Sequence, residues 1–288
     1  MTSSIDLRSG AVVVRVEPSR GGRASSVRVH DHELLVGQGT PGDDPRTWGS
    51  YLMAPWVGRM DGARFPFGGR EHRFIADFGP HAIHGLVLDR PWIVDAADGR
   101  SVTMRIELGP LGWPFGGSAV QRIRVWPDRV RFSAWVTADE PAPVALGWHP
   151  WFRRGESGPD TVIVEAAEIL QTRPDLVATG LRLPVDATTD LRPDQLIGSR
   201  RLDHTYVHPT APVTLHVPPL TVRLEWSRQV DSVHVYTPER AICIEPMTAW
   251  PNAANLAAAG VRGTGLTYVG ARGRLAAWMT WRWELNTH

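Results

Sequence analysis

The sequence has 288 residues and no lysine, so all 31 of its basic residues are arginines. Schiff-base aldolases and pyridoxal-phosphate enzymes need a lysine amine, and the phosphate-binding P-loop ends in Gly-Lys-Ser or Gly-Lys-Thr. The sequence therefore excludes these three classes of protein. We attribute the uniform use of arginine to a genome rich in G and C, because alanine is abundant as well.

Cysteine, charge and long apolar runs are also scarce. Cys243 is the only cysteine, which permits no internal disulfide, is too few for a zinc ribbon, and fits a reducing, cytoplasmic location. The first six residues lack a basic run followed by an apolar stretch, and no window approaches about 18 apolar residues, so we expect no secretory signal and no membrane span. A net charge of +1 without a basic stripe argues against a nucleic-acid partner.

What the sequence does contain is alternation of apolar and polar residues with period two. This pattern predicts strands at 11–16, 102–108, 121–125, 129–136, 161–165, 213–217, 221–226, 232–236, 241–245 and 276–285. Glycine and proline punctuate the strands at roughly ten-residue intervals, which is typical of a sandwich or barrel. A short helix is expected at 252–259 and a loop at 191–197. We predict an all-β chain, a large antiparallel β-sandwich with few short helices, forming a single domain over residues 1–288.

Five short clusters combine reactive polar groups with turn or aromatic residues; they lie at 54–62, 81–85, 147–152, 202–206 and 244–248. In the third cluster, His149 follows a strand-like run and precedes a proline, which places it at a strand end between two tryptophans. Aromatic walls suit the apolar face of a pyranose, and imidazole exchanges a proton near neutral pH. The position also fits an ordinary half-buried histidine, so the residue alone leaves both interpretations open.

Glu245 ends the apolar run 241–244 and precedes Pro246. A carboxylate at the end of a buried strand is costly unless it faces a cleft or has a partner. Burial raises the pKa of a carboxyl group, which is one way to obtain a useful general base. A salt-bridged glutamate at a strand end is the equally open alternative.

Four further residues are candidates for binding. Arg59 lies on a turn and its guanidinium can fork onto two hydroxyl groups, although a surface arginine is commoner. His81 and His84 are three positions apart in a loop, where we expect contacts with hydroxyl groups and no metal. Asp203 can accept hydrogen bonds from hydroxyl groups or simply cap a turn.

Taken in order, the clusters resemble the aldose 1-epimerase (galactose mutarotase) family, in its compact subgroup, over nearly the whole chain. The resemblance rests on Pro55-Trp56-x-x-Arg59-x-Asp61-Gly62, His81-Ala82-Ile83-His84-Gly85, Gly147-Trp148-His149-Pro150-Trp151-Phe152, Leu202-Asp203-His204-Thr205 and Cys243-Ile244-Glu245-Pro246-Met247-Thr248. Each motif is weak alone, but five in the family's order with strands between them are specific.

The resemblance implies an isomerase that interconverts the anomers of a hexose on a β-sandwich of the mutarotase type. It implies His149 as the general acid at the ring oxygen and Glu245 as the general base at the C1 hydroxyl. Arg59, His84 and Asp203 match residues that hold sugar hydroxyl groups, and we add His81. The family usually carries asparagine at the positions of Gly58 and His81. Such a reaction needs no cofactor, and we expect a monomer or homodimer.

Three alternatives remain at this point. A hexose-6-phosphate 1-epimerase would need cationic groups at the cleft edge, for which Arg153 and Arg154 or Arg70 and Arg73 are available. A non-catalytic carbohydrate-binding protein could use the same fold. A glycoside hydrolase would need Asp203 and Glu245 to face each other as a pair of carboxyl groups.

Overall fold

The computed structural model describes residues 4–40, 44–155, 158–192 and 196–286. The strands before residue 127 are β1 (Ile5–Ser9), β2 (Val12–Glu17), β3 (Arg23–Val29), β4 (His32–Glu33), β5 (Ser50–Met53), β6 (Arg59–Met60), β7 (Arg64–Phe67), β8 (Arg70–Arg73), β9 (Ala82–Ile83), β10 (Ile93–Ala97), β11 (Ser101–Glu107) and β12 (Ser118–Trp126). Single turns of 3-10 helix lie at Asp61–Ala63 and Gly109–Leu111.

The strands that follow are β13 (Arg129–Thr137), β14 (Ala142–Val144), β15 (Gly147–Arg153), β16 (Thr161–Ile163), β17 (Glu168–Thr172), β18 (Ala178–Pro184), β19 (Asp203–Val207), β20 (Val213–Val217), β21 (Leu220–Trp226), β22 (Ser232–Tyr236), β23 (Ala241–Met247), β24 (Thr267–Val269) and β25 (Arg274–Leu285). The α-helix found in the described ranges, α1, spans Ala253–Ala258.

Two large antiparallel sheets form the body of the molecule. Sheet I has eleven strands in the order β1-β2-β3-β5-β15-β23-β22-β19-β17-β18, with β4 beside β3. Sheet II has eight strands in the order β10-β11-β12-β13-β25-β21-β20-β16. The predicted all-β antiparallel sandwich is therefore confirmed.

Aromatic side chains fill the space between the two sheets. Phe152 of sheet I lies 4.7 Å from the Trp281 ring of sheet II, and Phe132 lies 4.9 Å from the same ring. The buried Gln121 side chain crosses the interface, because its Oε1 accepts a hydrogen bond from Trp148 Nε1 at 3.1 Å. Each fully buried side chain of this size contributes roughly 1.5–3 kcal/mol, so this layer supplies much of the folding free energy.

The ten predicted strands and the predicted helix are confirmed, with ends that shift by a few residues. The 232–236 and 213–217 runs keep their predicted bounds, whereas the 161–165 run ends at residue 163. Part of the predicted loop 191–197, residues 193–195, lies outside the described residues. No helix in the described part of the chain is long and apolar enough to cross a membrane.

The predicted strand ends at His149 and Glu245 are wrong. β15 continues to Arg153 and β23 continues to Met247, so both residues lie inside central strands of sheet I. The β15–β23 ladder pairs Gly147 with Met247 and then resumes at Trp151 and Cys243. Pro150 and Pro246 follow the two residues and have no N–H to donate, so the strands pass through this region with the ladder interrupted.

Candidate active site

One row of side chains crosses sheet I on the face turned away from sheet II. Tyr51 of β5 is the register partner of His149 on β15, and His149 contacts Glu245 on β23. Glu245 is the register partner of His234 on β22, and His234 is the partner of Thr205 on β19. Because partners in neighbouring strands share a face, five distant parts of the chain deliver one line of polar and aromatic groups.

Four members of this row, His149, Glu245, His234 and Thr205, form the floor of a cleft of about 310 Å³, which lies within the range typical of small-molecule sites. The charged and polar residues that line the cleft are Asp44, Arg46, Thr47, Arg59, His84, His149, Thr172, Asp203, Thr205, His234 and Glu245. A larger cavity of about 580 Å³ lies beside it, but none of the candidate catalytic or binding residues lines that cavity.

His149 is enclosed by aromatic rings. Tyr51 stacks on one side with ring centroids 5.0 Å apart, and Trp151 stacks at 5.3 Å with the planes 4° from parallel. Nε2 lies 3.1 Å from Glu245 Oε1, and Nδ1 has no hydrogen-bond partner among the described residues. Burial, with the neighbouring His84 as a smaller cause, holds the pKa of His149 well below its ordinary value.

Glu245 is the second half of this pair, and its side chain is only 3% exposed. Burial raises its pKa to about 7, and the opposing effect of His234 is smaller. The same removal from water that disfavours charge on His149 thus disfavours charge on Glu245. Two ionisable groups in such close contact titrate as a coupled pair.

His84 and Arg59 also line the cleft. The His84 ring meets the His149 ring edge-on with centroids 5.0 Å apart, and burial lowers the pKa of His84 well below its ordinary value. Arg59 lies over the Phe78 ring at 5.1 Å, and its buried Nε has no partner among the described residues. A neutral imidazole and an arginine fork with a spare donor suit hydroxyl groups.

The loop that carries His84 depends on Gly85. Gly85 has φ +80, and a Cβ atom there would lie 2.0 Å from the carbonyl oxygen of Ala54. His84 itself has φ 60, which is strained for a residue with a side chain. The close approach of the two backbones therefore fixes the direction in which the His84 ring enters the cleft.

Asp203 enters the cleft from β19 and is held by His234. His234 Nε2 lies 3.0 Å from Asp203 Oδ1, and Nδ1 lies 2.9 Å from Thr205 Oγ1. Burial alone would raise the pKa of Asp203, but the bond to His234 lowers it below its ordinary value. Sequence reasoning missed His234, although the alternation of 232–236 already placed it on one face with Tyr236.

His81, predicted to contact hydroxyl groups, is not among the residues that line the cleft. Its Nδ1 accepts a hydrogen bond from the Gly62 N–H at 3.1 Å and lies 3.5 Å from Asp61 Oδ1. Its Nε2 lies 3.4 Å from Asp175 Oδ2. The buried imidazole thus lies between the segment at Asp61 and Gly62 and the turn at Asp175.

The arrangement combines a coupled imidazole–carboxyl pair with hydroxyl-binding groups in one pocket, which suits proton transfer to a polyol. Glu245 contacts the imidazole of His149, and the strand that carries His234 lies between Glu245 and the strand of Asp203. In a glycoside hydrolase, by contrast, two carboxyl groups face each other directly. Among the described residues, no group of three or more histidine, cysteine or acidic side chains is arranged to hold a metal ion.

Comparisons with known proteins place this geometry in context. The family model described as Aldose 1-epimerase matches residues 4–267. A search of curated proteins found no match.

Several solved structures resemble the whole chain. The GalM/aldose epimerase homologue from C. elegans is 16% identical with a TM-score of 0.85, covering 100% of each chain. A galactose mutarotase-like protein from Clostridium acetobutylicum is 13% identical with a TM-score of 0.85, covering 97% of this chain and 94% of that one. Galactose 1-epimerase from Lactobacillus acidophilus NCFM is 14% identical with a TM-score of 0.80, covering 97% and 93%. At such identities the likeness shows the fold.

Proposed function

Because the chain belongs to the aldose 1-epimerase family, a family of isomerases, we propose that it interconverts the α and β anomers of a hexose in the cleft on sheet I. The observation that carries this proposal is the buried contact of 3.1 Å between His149 Nε2 and Glu245 Oε1. An enclosed acid–base pair among groups suited to hydroxyls is what ring opening and closure require.

The proposed reaction uses both members of the pair in turn. Glu245 removes the proton from the C1 hydroxyl, while His149 donates a proton to the ring oxygen, and the C1–O5 bond breaks to give the open-chain aldehyde. Rotation about the C1–C2 bond turns the other face of the carbonyl group toward O5. Closure with the two roles reversed gives the second anomer, so protons and electrons balance over the cycle.

The pair must hold one proton for this reaction. In the resting form this proton lies on Glu245 and His149 is neutral. In the active form the proton has moved across their contact, so that His149 is protonated and Glu245 is ionised. A second proton removes the base, and loss of the first removes the acid. We therefore expect a bell-shaped pH profile of kcat/KM whose limbs belong to the pair and not to either residue.

The charges around the cleft favour an unphosphorylated hexose. Arg153 and Arg154 do not line the cleft, and Arg154 is bound to Asp160 at 3.1 Å. Arg70 and Arg73 lie on the β7–β8 hairpin outside the cleft. Arg46 does line it, but Asp44 neutralises it through a contact of 2.8 Å. A phosphate at Arg46 would thus compete with the Asp44 carboxylate, which leaves Arg59 as the other arginine in the lining of the cleft.

Anomer exchange of glucose, galactose and glucose 6-phosphate, followed by polarimetry and by NMR exchange spectroscopy, tests the proposal. We expect catalysis with a neutral sugar, and we expect His149→Asn and Glu245→Gln each to lower kcat by roughly 10²–10⁴-fold. Glu140→Gln, an exposed site on the surface, is the matched control and should keep full activity. Exchange no faster than in buffer, or unchanged by both site variants, would refute the enzyme; preference for the phosphorylated sugar would refute the substrate class.

A further inference from the structure

His234 is a half-buried titratable group on the cleft floor that the proposed reaction does not use. Its side chain is 15% exposed, and it fills the row between Glu245 on one side and Thr205 on the other. Its two ring nitrogens are both engaged, with Asp203 at 3.0 Å and with Thr205 at 2.9 Å. A residue needed only to fill space would not require two directed polar contacts.

The two contacts determine which forms of the ring fit. A carboxylate accepts hydrogen bonds but cannot donate them, so Nε2 must carry a proton that it donates to Asp203. The hydroxyl group of Thr205 can either accept from a protonated Nδ1 or donate to a bare one. The site therefore accommodates both the neutral and the cationic imidazole without rearrangement.

The charged and titratable groups that face His234 come from every neighbouring element. They are Glu245 on β23, Asp203 and His204 on β19, Arg59 on β6, His149 on β15, and His84 after β9. Two of these are carboxyl groups on directly adjacent strands, whereas Arg59 is the only permanent cation. The balance favours a positive charge on the ring.

We propose that His234 is a positioning residue that holds Asp203 toward the cleft and places a positive charge beside Glu245. The expected effect of His234 on catalysis rests on the proposed function. Its effect on the charge beside Glu245 does not depend on that function. Burial alone would lower the pKa of His234, yet the Glu245 and Asp203 carboxyl groups raise it above its ordinary value. In return, His234 opposes the effect of burial on the pKa of Glu245.

His234→Gln separates the charge from the hydrogen bond, because a glutamine amide can donate to Asp203 but carries no charge. An opposite charge within about 4–6 Å shifts a carboxyl pKa by roughly 1–3 units, so its removal should raise the pKa of Glu245 by about one unit or more. The alkaline limb of kcat/KM, where the pair loses the proton that Glu245 carries at rest, should move to higher pH by a similar amount. NMR titration of the Glu245 side-chain carbon measures the shift without reference to activity.

His216→Gln is the matched control, because His216 on sheet II makes the same kind of bond, to Thr221 Oγ1 at 2.8 Å. This variant should leave the pKa of Glu245 and the pH profile unchanged. If His234→Gln does not fold, the pKa of the His234 ring can be measured by NMR titration of the unmodified protein. A ring that is neutral above pH 6 overturns the proposal. So does a Glu245 pKa that is the same in His234→Gln as in the parent. If the parent exchanges no anomers, the function fails, while the titration still decides the role of His234.

Discussion

At the scale of single residues, one physical cause produces the chemistry of the site. Burial favours the neutral form of every ionisable group, so it lowers the pKa of His149 and raises that of Glu245 toward each other. The rings of Tyr51 and Trp151 create this environment by stacking on both faces of the imidazole.

The same burial makes the ionised form of Glu245 lower the free energy of unfolding. Its pKa is about 7 in the folded protein against an ordinary value of 4.5, so the folded state keeps a proton that the unfolded chain releases between these values. By linkage, its contribution to the free energy of unfolding falls as pH rises from about 4.5 to 7 and stays low above that.

Glu245→Gln should therefore stabilise the protein at pH 8 by about 1–3 kcal/mol while abolishing most activity. At about pH 3.5, where Glu245 is largely protonated in both states, the difference in the free energy of unfolding should nearly vanish. Urea denaturation at the two pH values measures this, with Glu140→Gln as the control that shows no such difference. A Glu245→Gln variant that is less stable than the parent at pH 8 would contradict the assigned burial cost.

His149 and Glu245 became candidates because each interrupts an apolar or aromatic run, and the order of the five sequence clusters then distinguished them from ordinary strand residues. His234 gave no comparable signal, since 232–236 alternates as any half-buried strand does. Only the pairing of β22 with β23 brings His234 beside Glu245. His81 shares a motif with His84, but the structure places its ring beside Asp61 and Asp175, and it is not among the residues that line the cleft.

At the scale of elements, the turn between β17 and β18 forms one side of the cleft. Leu176 in this turn lines the cleft and has φ 63. Arg173 holds the turn to the 3-10 segment that begins at Asp61, because its Nη1 and Nη2 each lie 2.8 Å from a carboxylate oxygen of Asp61. Asp175 binds the same guanidinium, and this contact lowers the pKa of Asp175 to about 2.

Arg173→Met should loosen the turn and raise KM for the sugar by roughly two- to fivefold, because the wall at Leu176 is no longer held in place. The thermal midpoint should change little, since the ion pairs are exposed to solvent. The pH profile of kcat/KM should not move above pH 5, because the acids of this cluster are ionised there. Arg182→Met, which breaks an exposed pair with Glu168 on the same two strands, is the control. An unchanged KM would show that the turn has no part in binding.

At the scale of the whole molecule, one face of sheet I packs against sheet II and the other face lines the cleft. Trp148 and His149 are neighbours on β15, yet Trp148 packs toward sheet II while His149 faces the cleft. Period-two alternation made this division predictable for each strand, but not the order in which the strands are assembled. The order β5-β15-β23-β22-β19 joins segments up to about 200 residues apart, and no local pattern encodes it.

Gln121→Leu tests whether the sheet interface supports the cleft only through stability. The substitution leaves Trp148 Nε1 and the Gly22 carbonyl oxygen without their buried partner, which should cost about 1–3 kcal/mol of unfolding free energy. Arg122→Leu, the next residue on β12 with an exposed side chain, should cost far less. At 25 °C both variants should keep the parent pH profile, because neither side chain reaches the cleft. A shifted profile in Gln121→Leu alone would mean that the Trp148 face of β15 transmits strain to His149, and that the two faces of sheet I are mechanically coupled.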